Sequence, residues 1–332
     1  MNAPVVHRLW PEGGPAPRPL FADVAVLIPC YNEEATVAQV VRDFRAALPG
    51  AVVYVYDNNS KDRTSELARA EGAVVRRAPL QGKGNVIRQM FSDIEAEAYV
   101  LVDGDATYDA RVAPALIRRL TDEQLDMVSG ARVTDEAAAY RTGHRFGNLM
   151  LTTLVREIFG RRFKDMLTGY RVFSRRFVKS FPASSSGFEI ETELTIHVLQ
   201  MRLPSDEIDT VYGARPEGSA SKLNTIRDGL RILRLIGLLV REERPLQFFG
   251  ACGGALLGAA AMLAWPVLAE YFATGLVPRF PTLIVAVGLG ASGLLSFACG
   301  LILDSVSRGR LELRRLAYLS VPAPRPLEPL AP

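Results

Sequence analysis

Short apolar runs alternate with amphipathic segments through the first part of the chain. Runs rich in β-branched and other apolar residues predict strands at residues 24–29, 52–56, 73–75, 99–102 and 127–129. The segments between them have helical periodicity; for example, Val37, Val40, Val41 and Phe44 fall on one side of a helix. Strands that alternate with helices at this spacing predict an α/β fold with a doubly wound, mostly parallel sheet.

Polar residues follow the ends of successive predicted strands. Residues 31–34 follow the first strand, residues 57–62 the second, Lys83 the third, and residues 103–105 the fourth. The carboxyl ends of parallel strands meet at one edge of a sheet, where ligands bind in open α/β folds. The sequence therefore predicts a ligand site at this edge.

The fourth of these strands ends in two carboxylates, Asp103 and Asp105, separated by Gly104. In an extended segment, residues i and i+2 point the same way. Two neighbouring carboxylates repel each other unless a cation lies between them, and Mg²⁺ and Mn²⁺ prefer oxygen ligands. Gly104 would let the backbone bend or approach a ligand closely. The alternative is a solvated acidic turn, but its position at a strand end favours a divalent metal site.

The alternation is less regular over residues 137–212. A helix is predicted at about 146–159, a turn and strand at 165–173, a helix opening at 187–194 and a strand at 207–212. Residues 215–222 then form a basic, hydroxyl-rich loop of the kind that binds an anion.

Two apolar stretches near the C-terminus, at residues 248–272 and 283–303, are long enough to span a bilayer as helices. They are preceded by an amphipathic segment, residues 226–245, whose arginines suit lipid phosphates, although an ordinary surface helix is the alternative. Arginines flank the pair at its outer ends, which predicts both termini and the soluble part in the cytoplasm. The chain is thus expected to be integral to the cytoplasmic membrane.

Composition and charge narrow the class of partner. The net charge of +3 is too small to indicate nucleic acid binding, and it suits an anionic membrane face. Cys30, Cys252 and Cys299 have neither disulfide nor metal-site spacing, which indicates a reducing compartment. Frequent Gly and Ala in the two spans are typical of close-packed membrane helices, through which a homo-oligomer could form.

The polar segments, taken in order, resemble glycosyltransferase family 2, and in particular its dolichyl- and polyprenyl-phosphate sugar synthases. The resemblance covers roughly residues 22–245 and rests on residues 24–34, 57–62, 82–84, 103–105, 165–171 and 215–222. It implies a GT-A fold, a nucleotide-sugar donor, a polyprenyl phosphate acceptor and inversion at the anomeric carbon. The expected divisions are a flexible arm at 1–20, a GT-A domain at 21–225, an amphipathic helix at 226–245, a transmembrane hairpin at 246–305 and a cytoplasmic tail at 306–332.

The resemblance also implies roles for individual residues. The nucleotide-sugar pocket would contain Pro29, Tyr31, Glu33, Asp57, Lys83, Asp103 and Gly104. The acceptor phosphate would be bound by Arg132, Arg141, Arg215, Ser219 and Lys222. The implied catalytic residues are Asp103, Asp105, Asp165 and Glu191, of which the first two would hold Mg²⁺ or Mn²⁺ on the diphosphate. Many relatives carry Gln as a further metal contact where this chain has Thr107, so Thr107 or Asp109 would substitute.

Several residues also have structural interpretations. Lys83 could cap a turn, Arg171 could be the ion-pair partner of Asp165, and Glu191 could belong to a solvated helix face with Glu189 and Glu193. His144 and His197 are assigned no role. Two other functions stay open: transfer to a sugar or protein hydroxyl, and a non-catalytic membrane scaffold. The sequence favours a UDP-sugar donor over a GDP-sugar only slightly and does not identify the sugar.

Overall fold

Seven strands form one sheet in the part of the chain that the structure, a computed structural model, describes: residues 20–133, 163–213, 237, 241 and 244–325. The sheet order is β3-β2-β1-β4-β6-β5-β7. The strands are β1 (Val24–Cys30), β2 (Val52–Asp57), β3 (Val74–Arg77), β4 (Ala98–Leu101), β5 (Met127–Val133), β6 (Arg171–Ser174) and β7 (Ser205–Val211).

Eight α-helices have both ends among the described residues: six accompany the sheet and two follow it. The first six are α1 (Val37–Ala47), α2 (Thr64–Ala70), α3 (Lys83–Asp93), α4 (Ala113–Asp122), α5 (Arg175–Ser180) and α6 (Ile190–Met201). The last two are α7 (Pro245–Thr274) and α8 (Phe280–Leu319). The predicted helix at 146–159, the loop at 215–222 and most of the amphipathic segment at 226–245 lie outside the described residues.

The sheet is buried on both faces, as β1 illustrates. Val26 and Ile28 pack in one core cluster with α1 and α4, whereas Leu27 packs on the opposite face with α3 and α6. Because successive strand residues point to opposite faces, a strand covered by helices on both sides must be apolar throughout. The unbroken apolar runs of the sequence have this cause, and the predicted GT-A α/β architecture is confirmed.

One strand departs from the parallel pattern. β6 lies between β4 and β5 and is antiparallel to both, with Arg171 opposite Leu101 and Ser129. The sheet is therefore mixed, although its other pairings are parallel. Because β6 runs the opposite way, its first residue lies where β4 ends. The loop before β6 thus reaches the edge of the sheet that carries Asp103.

The two C-terminal helices form an antiparallel pair, and each is long and apolar enough to cross a membrane. The helices approach closely at small residues: a Cβ added at Gly253 would lie 2.8 Å from the Gly293 carbonyl oxygen. The Ser296 hydroxyl also donates to the Phe249 carbonyl oxygen at 2.9 Å. Small residues let membrane helices pack at short range, where dispersion and hydrogen bonds stabilise the pair.

Helix α8 continues well past its apolar stretch and contacts the α/β domain. The Tyr318 hydroxyl donates to Asp126 at 2.8 Å, and its ring lies under the Arg176 guanidinium at 4.8 Å. Arg314 donates to the Gln200 side chain at 3.1 Å. Residues 306–319, expected as part of a cytoplasmic tail, belong to this helix. Good helix formers and the Asp304–Arg308 pair, one turn apart, favour this continuation.

Candidate functional site

The loops that follow β1 and β2 are joined at the carboxyl edge of the sheet. The Glu33 amide donates to the Thr64 hydroxyl, and the Asn32 amide donates to the Ser60 hydroxyl, each at 2.8 Å. The Lys61 amide donates in return to the Asn32 side chain at 2.8 Å. The convergence predicted from the strand order is thus realised by reciprocal hydrogen bonds between residues about thirty positions apart.

Four of the residues expected in the nucleotide pocket lie along this edge. Pro29 is near the end of β1, and Tyr31 and Glu33 lie in the loop after it. Asp57 ends β2, where one of its oxygens accepts from the Ser60 amide at 2.9 Å and the other from the Ser65 hydroxyl at 2.6 Å. Asp57 therefore fixes the loop that follows it, and its expected contact with the base stays a prediction.

Lys83 connects two of the candidate carboxylates. Its Nζ lies 2.5 Å from Asp103 Oδ1 and 2.5 Å from Glu191 Oε1. Burial opposes the charged form of Lys83, but the charges of Asp103 and Glu191 outweigh it and raise the pKa of the ammonium above its usual value. Lys83 is therefore a charged member of the site. The alternative of a simple turn cap does not account for these contacts.

Glu191 and Glu193 are buried in the first turn of α6. The Glu193 carboxylate accepts from the amides of Ser184 and Ser185 at 2.8 and 2.7 Å. The second oxygen of Glu191, Oε2, has no hydrogen-bond partner among the described residues. The solvated helix face considered for these two residues is wrong, because both side chains lie inside the protein.

Asp105 differs from Asp103 in its surroundings. It is 3% exposed, and its Oδ1 accepts from the Thr107 hydroxyl at 2.6 Å. The residue between the two carboxylates, Gly104, lies against Cys30. A Cβ added at Gly104 would be 2.8 Å from the Cys30 Sγ, so a larger residue does not fit there. The unusual backbone angle of this turn falls on Ala106, whose φ is 57°, so the bend expected at Gly104 occurs two residues later.

The donor set at this turn fits a divalent metal of the magnesium or manganese type. Such ions are commonly held by one or two carboxylates, with substrate phosphates completing the coordination. Asp103 and Asp105 would supply those oxygens; Thr107 lies against Asp105, whereas Asp109 is paired with Arg111 at 2.8 Å. Within the described ranges, no group of three or more His, Cys, Asp or Glu side chains forms a closed metal cluster. A metal held by these two carboxylates would have coordination positions left for substrate phosphates.

Asp165 and Arg132 form a second, separate ion pair. Arg132 donates to both oxygens of Asp165, with Nε 2.6 Å from Oδ2 and a terminal nitrogen 2.9 Å from Oδ1. Burial alone would raise the pKa of Asp165, but the hydrogen bonds and charge of Arg132 hold it below its usual value. The expected catalytic carboxylate and the expected phosphate ligand are therefore joined, so Asp165 orients and partly neutralises Arg132.

Arg171 is not the ion-pair partner of Asp165. It is fully buried, and its guanidinium donates to the Thr168 and Met166 carbonyl oxygens at 3.0 and 2.6 Å and to the Thr195 hydroxyl at 2.8 Å. These contacts tie the loop before β6 to helix α6. Arg171 therefore has a structural role in holding the loop that carries Asp165.

Tyr108 is a site residue that sequence reasoning missed. Its hydroxyl accepts from the Gly169 amide at 2.9 Å, and its ring packs against Tyr170 and Tyr212. The Tyr212 ring in turn lies 5.4 Å from the Arg132 guanidinium. Tyr108 thereby connects the turn after β4 with the loop before β6. Its position three residues after Asp105 was the available signal, but the contact depends on the place of β6 in the sheet.

The remaining predicted residues have simpler outcomes. Arg141, Arg215, Ser219 and Lys222, expected to bind the acceptor phosphate, lie outside the described residues, as does His144. His197 is buried between the Phe177 and Phe181 rings, and burial lowers its pKa to about 3. A neutral, buried histidine agrees with giving it no catalytic role.

The first turn of α3 is held by the segment before α6, and this contact yields a stability prediction. The Gly84 amide donates to the Ser186 carbonyl oxygen at 3.1 Å, and a Cβ at Gly84 would lie 2.2 Å from the Ser185 carbonyl oxygen. We expect Gly84→Ala to separate these backbones and to destabilise the protein by about 1 to 3 kcal/mol, as overpacking does. Thermal melting followed by circular dichroism checks this.

Gly309→Ala is the matched control for Gly84→Ala. Gly309 is also helical, but a Cβ there meets nothing within 4 Å. Its melting temperature should stay the same or rise slightly, because Ala is the better helix former. Equal melting temperatures for the two variants would contradict the close approach at Gly84.

Comparison with known proteins places the chain in a family. Residues 25–181 match the model of glycosyl transferase family 2. Glycosyltransferase AglJ of Haloferax volcanii is 32% identical over 299 residues, which cover 89% of this chain and 98% of that protein. A dolichyl-phosphate hexose transferase of the same organism is 28% identical over 68% of this chain and 96% of its own length.

A solved structure supports the same fold. The structure of glucosyl-3-phosphoglycerate synthase from Mycobacterium tuberculosis with Mn²⁺, UDP-glucose and phosphoglyceric acid has a TM-score of 0.53 to this chain at 22% identity. The similarity covers 67% of this chain and 81% of that one. At this identity the likeness concerns the fold alone. Together with the match to AglJ over nearly its whole length, the family match shows that the chain belongs to glycosyl transferase family 2.

Proposed function

We infer that the protein transfers a sugar, with inversion, from a nucleotide-sugar to a polyprenyl phosphate at the cytoplasmic face of the membrane. The donor is a UDP-sugar in preference to GDP-mannose. One observation carries the choice of a phosphate acceptor: the two expected catalytic carboxylates outside the metal pair are each bound to a cation. Asp165 is paired with Arg132, and Glu191 is paired with Lys83.

The acceptor's chemistry explains why this matters. A phosphate monoester has a second pKa of about 6, so at neutral pH its oxygen is already anionic and needs no base. An alcohol is almost wholly protonated at that pH and usually needs a positioned carboxylate to remove its proton. A site whose candidate carboxylates are engaged by cations suits the first acceptor better. The relative named as a dolichyl-phosphate hexose transferase supports the same choice.

Asp103 and Asp105 would hold a divalent metal, which when bound offsets negative charge on the donor diphosphate. The chain's own residues supply the rest. Lys83 adds a positive charge beside Asp103, and the loop between β2 and α2, fixed by Asp57, forms the wall next to the nucleotide. Arg132, oriented by Asp165 and the Tyr212 ring, would contribute to binding the acceptor phosphate.

The membrane hairpin suits a lipid acceptor. Helix α8 is continuous from its apolar stretch to Tyr318, which contacts Asp126 in the α/β domain. Both ends of the hairpin therefore lie on the side of that domain. Arginines flank the outer ends of the pair, at Arg241 and Arg244 before it and at Arg308, Arg310, Arg314 and Arg315 after it, which supports a cytoplasmic location.

Variants of the basic loop test the acceptor assignment. We expect Arg215→Ala and Lys222→Ala to raise the apparent KM for polyprenyl phosphate about tenfold or more, because each would remove a cationic donor for the acceptor phosphate. The KM for the nucleotide-sugar should change little. Asp165→Asn and Glu191→Gln should have milder effects if they fold. Steady-state kinetics with each substrate varied in turn measures these values.

Arg118→Ala is the matched control, since Arg118 is an exposed arginine on α4. It should leave both KM values unchanged. The opposite pattern would favour a hydroxyl acceptor: nearly silent basic-loop variants together with one carboxylate variant that is folded but inactive. A wild-type protein that binds membranes but releases no nucleotide from any donor would favour a scaffold.

A further inference from the structure

The cluster of Lys83, Asp103 and Glu191 is unequal in its exposure to solvent. The side chains of Lys83 and Glu191 are 10% and 7% exposed, whereas that of Asp103 is 30% exposed. Asp103 is therefore the member that a ligand at the sheet edge reaches first. One of the two Asp103 carboxylate oxygens, Oδ1, is already bound to the Lys83 ammonium.

Asp103 has little freedom to leave this contact by moving itself. Its Oδ2 lies so close to Gly169 that a Cβ added there would be 2.3 Å away. The Gly169 backbone is held in turn by the Tyr108 hydroxyl at 2.9 Å. Asp103 is thus confined between Gly169 on one side and Lys83 on the other. If a second cation binds Asp103, the ammonium is the group that moves.

Lys83 is attached to the side of the site that carries Glu191. The amide of the next residue, Gly84, donates to the Ser186 carbonyl oxygen at 3.1 Å, and the Phe188 ring lies 6.0 Å from Lys83 Nζ. The same segment is fixed by Glu193, which accepts from the amides of Ser184 and Ser185. Lys83 and Glu191 are therefore held by the same segment. When the contact of Lys83 with Asp103 breaks, its ion pair with Glu191 remains.

We propose that Lys83 is a positioning residue that occupies Asp103 in the ligand-free enzyme and is displaced from it by the divalent metal, while Glu191 retains it. The inference rests on the proposed function, because it requires a metal and a nucleotide diphosphate. A displaced ammonium has N–H donors available for an anionic ligand. A metal that binds alone must compete with Lys83 for Asp103. A metal that binds with a nucleoside diphosphate brings phosphate oxygens to which the displaced Lys83 ammonium can donate. The two ligands therefore bind with positive coupling.

Binding measurements on the full-length protein in lipid nanodiscs test this directly. The affinity for Mn²⁺ alone is measured from the free-ion electron paramagnetic resonance signal, and the affinity for UDP or GDP at saturating Mn²⁺ by calorimetry. Lys83→Gln should raise the affinity for Mn²⁺ in the absence of nucleotide on the order of tenfold, because a neighbouring positive charge is removed. The same variant should weaken nucleoside diphosphate binding.

Two further variants make the result specific. Glu191→Gln should weaken the binding of Mn²⁺ in the absence of nucleotide. Lys83 then has Asp103 as its remaining carboxylate partner in the cluster, so the metal must compete with a stronger contact. Lys164→Gln, which removes an exposed lysine paired with Asp209, should change neither affinity. If Lys83→Gln does not fold, the Mn²⁺ affinity of Glu191→Gln decides the matter.

A purely structural role for Lys83 would lower both affinities together, and that result would overturn the inference. Unchanged Mn²⁺ affinity in both Lys83→Gln and Glu191→Gln would overturn it as well. In either case, intact binding of Mn²⁺ with UDP or GDP by the wild type leaves the proposed function standing. A wild-type protein that binds none of these ligands contradicts the proposed function itself.

Discussion

Replacing either carboxylate of the turn after β4 should abolish sugar transfer while leaving the fold intact. We expect Asp103→Asn and Asp105→Asn each to lower kcat on the order of a thousandfold or more, because the leaving diphosphate loses the groups that hold its counter-charge. The amide is nearly the size of the carboxylate, so Asp105, although buried, keeps its contact with the Thr107 amide. Transfer of labelled sugar at saturating donor and Mn²⁺ measures the effect.

Asp206→Asn is the control for the carboxylate variants. Asp206 is a partly exposed aspartate paired with Arg119 at 2.7 Å, so its loss should leave transfer unchanged. Excess EDTA should abolish sugar transfer by the wild type, as Asp103→Asn does, and added Mg²⁺ or Mn²⁺ should restore it. Near-normal turnover in both carboxylate variants, or full activity in EDTA, would contradict the metal assignment.

The largest effect on stability is expected at Arg171. Arg171→Met keeps the length of the side chain but removes the donors that satisfy the Met166 and Thr168 carbonyl oxygens and the Thr195 hydroxyl. Buried acceptors left without donors should lower the free energy of unfolding by about 3 to 5 kcal/mol. The melting temperature of the α/β domain should then fall on the order of 10 °C. Thermal melting followed by circular dichroism measures it.

Arg175→Met provides the comparison for Arg171→Met. Arg175 is four residues further along and forms an exposed pair with Glu95 at 3.2 Å, which contributes little in water. Its melting temperature should stay close to that of the wild type. If the two arginine variants melt alike, the three hydrogen bonds that Arg171 donates to oxygen atoms do not hold the loop before β6.

The sequence predicted the layered α/β fold because strands covered on both faces must be apolar, and those runs are visible without any contact information. It could not predict the direction of β6. That direction depends on the path of the chain between β5 and β6, and the local pattern of Arg171–Ser174 fits either orientation. The consequence for the site is large, since the antiparallel strand brings Gly169 against Asp103.

Pairings between distant residues were likewise beyond the sequence. Lys83 and Glu191 are 108 positions apart, and their contact follows from how α3 and α6 pack on one face of the sheet. The charged residues from 306 onward resemble a tail when read locally. They form the end of α8 because that end docks on the α/β domain through Arg314 and Tyr318.

The most direct test of the phosphate-acceptor claim compares two acceptors that differ in one group. The purified full-length protein in nanodiscs is given Mn²⁺ and a panel of labelled UDP- and GDP-sugars, with either a polyprenyl phosphate or the matching polyprenol. We expect one sugar to enter the lipid fraction with polyprenyl phosphate and none with polyprenol. The Asp103→Asn variant should transfer sugar to neither acceptor. Label entering the polyprenol, or entering no lipid while the donor is still consumed, would contradict the account.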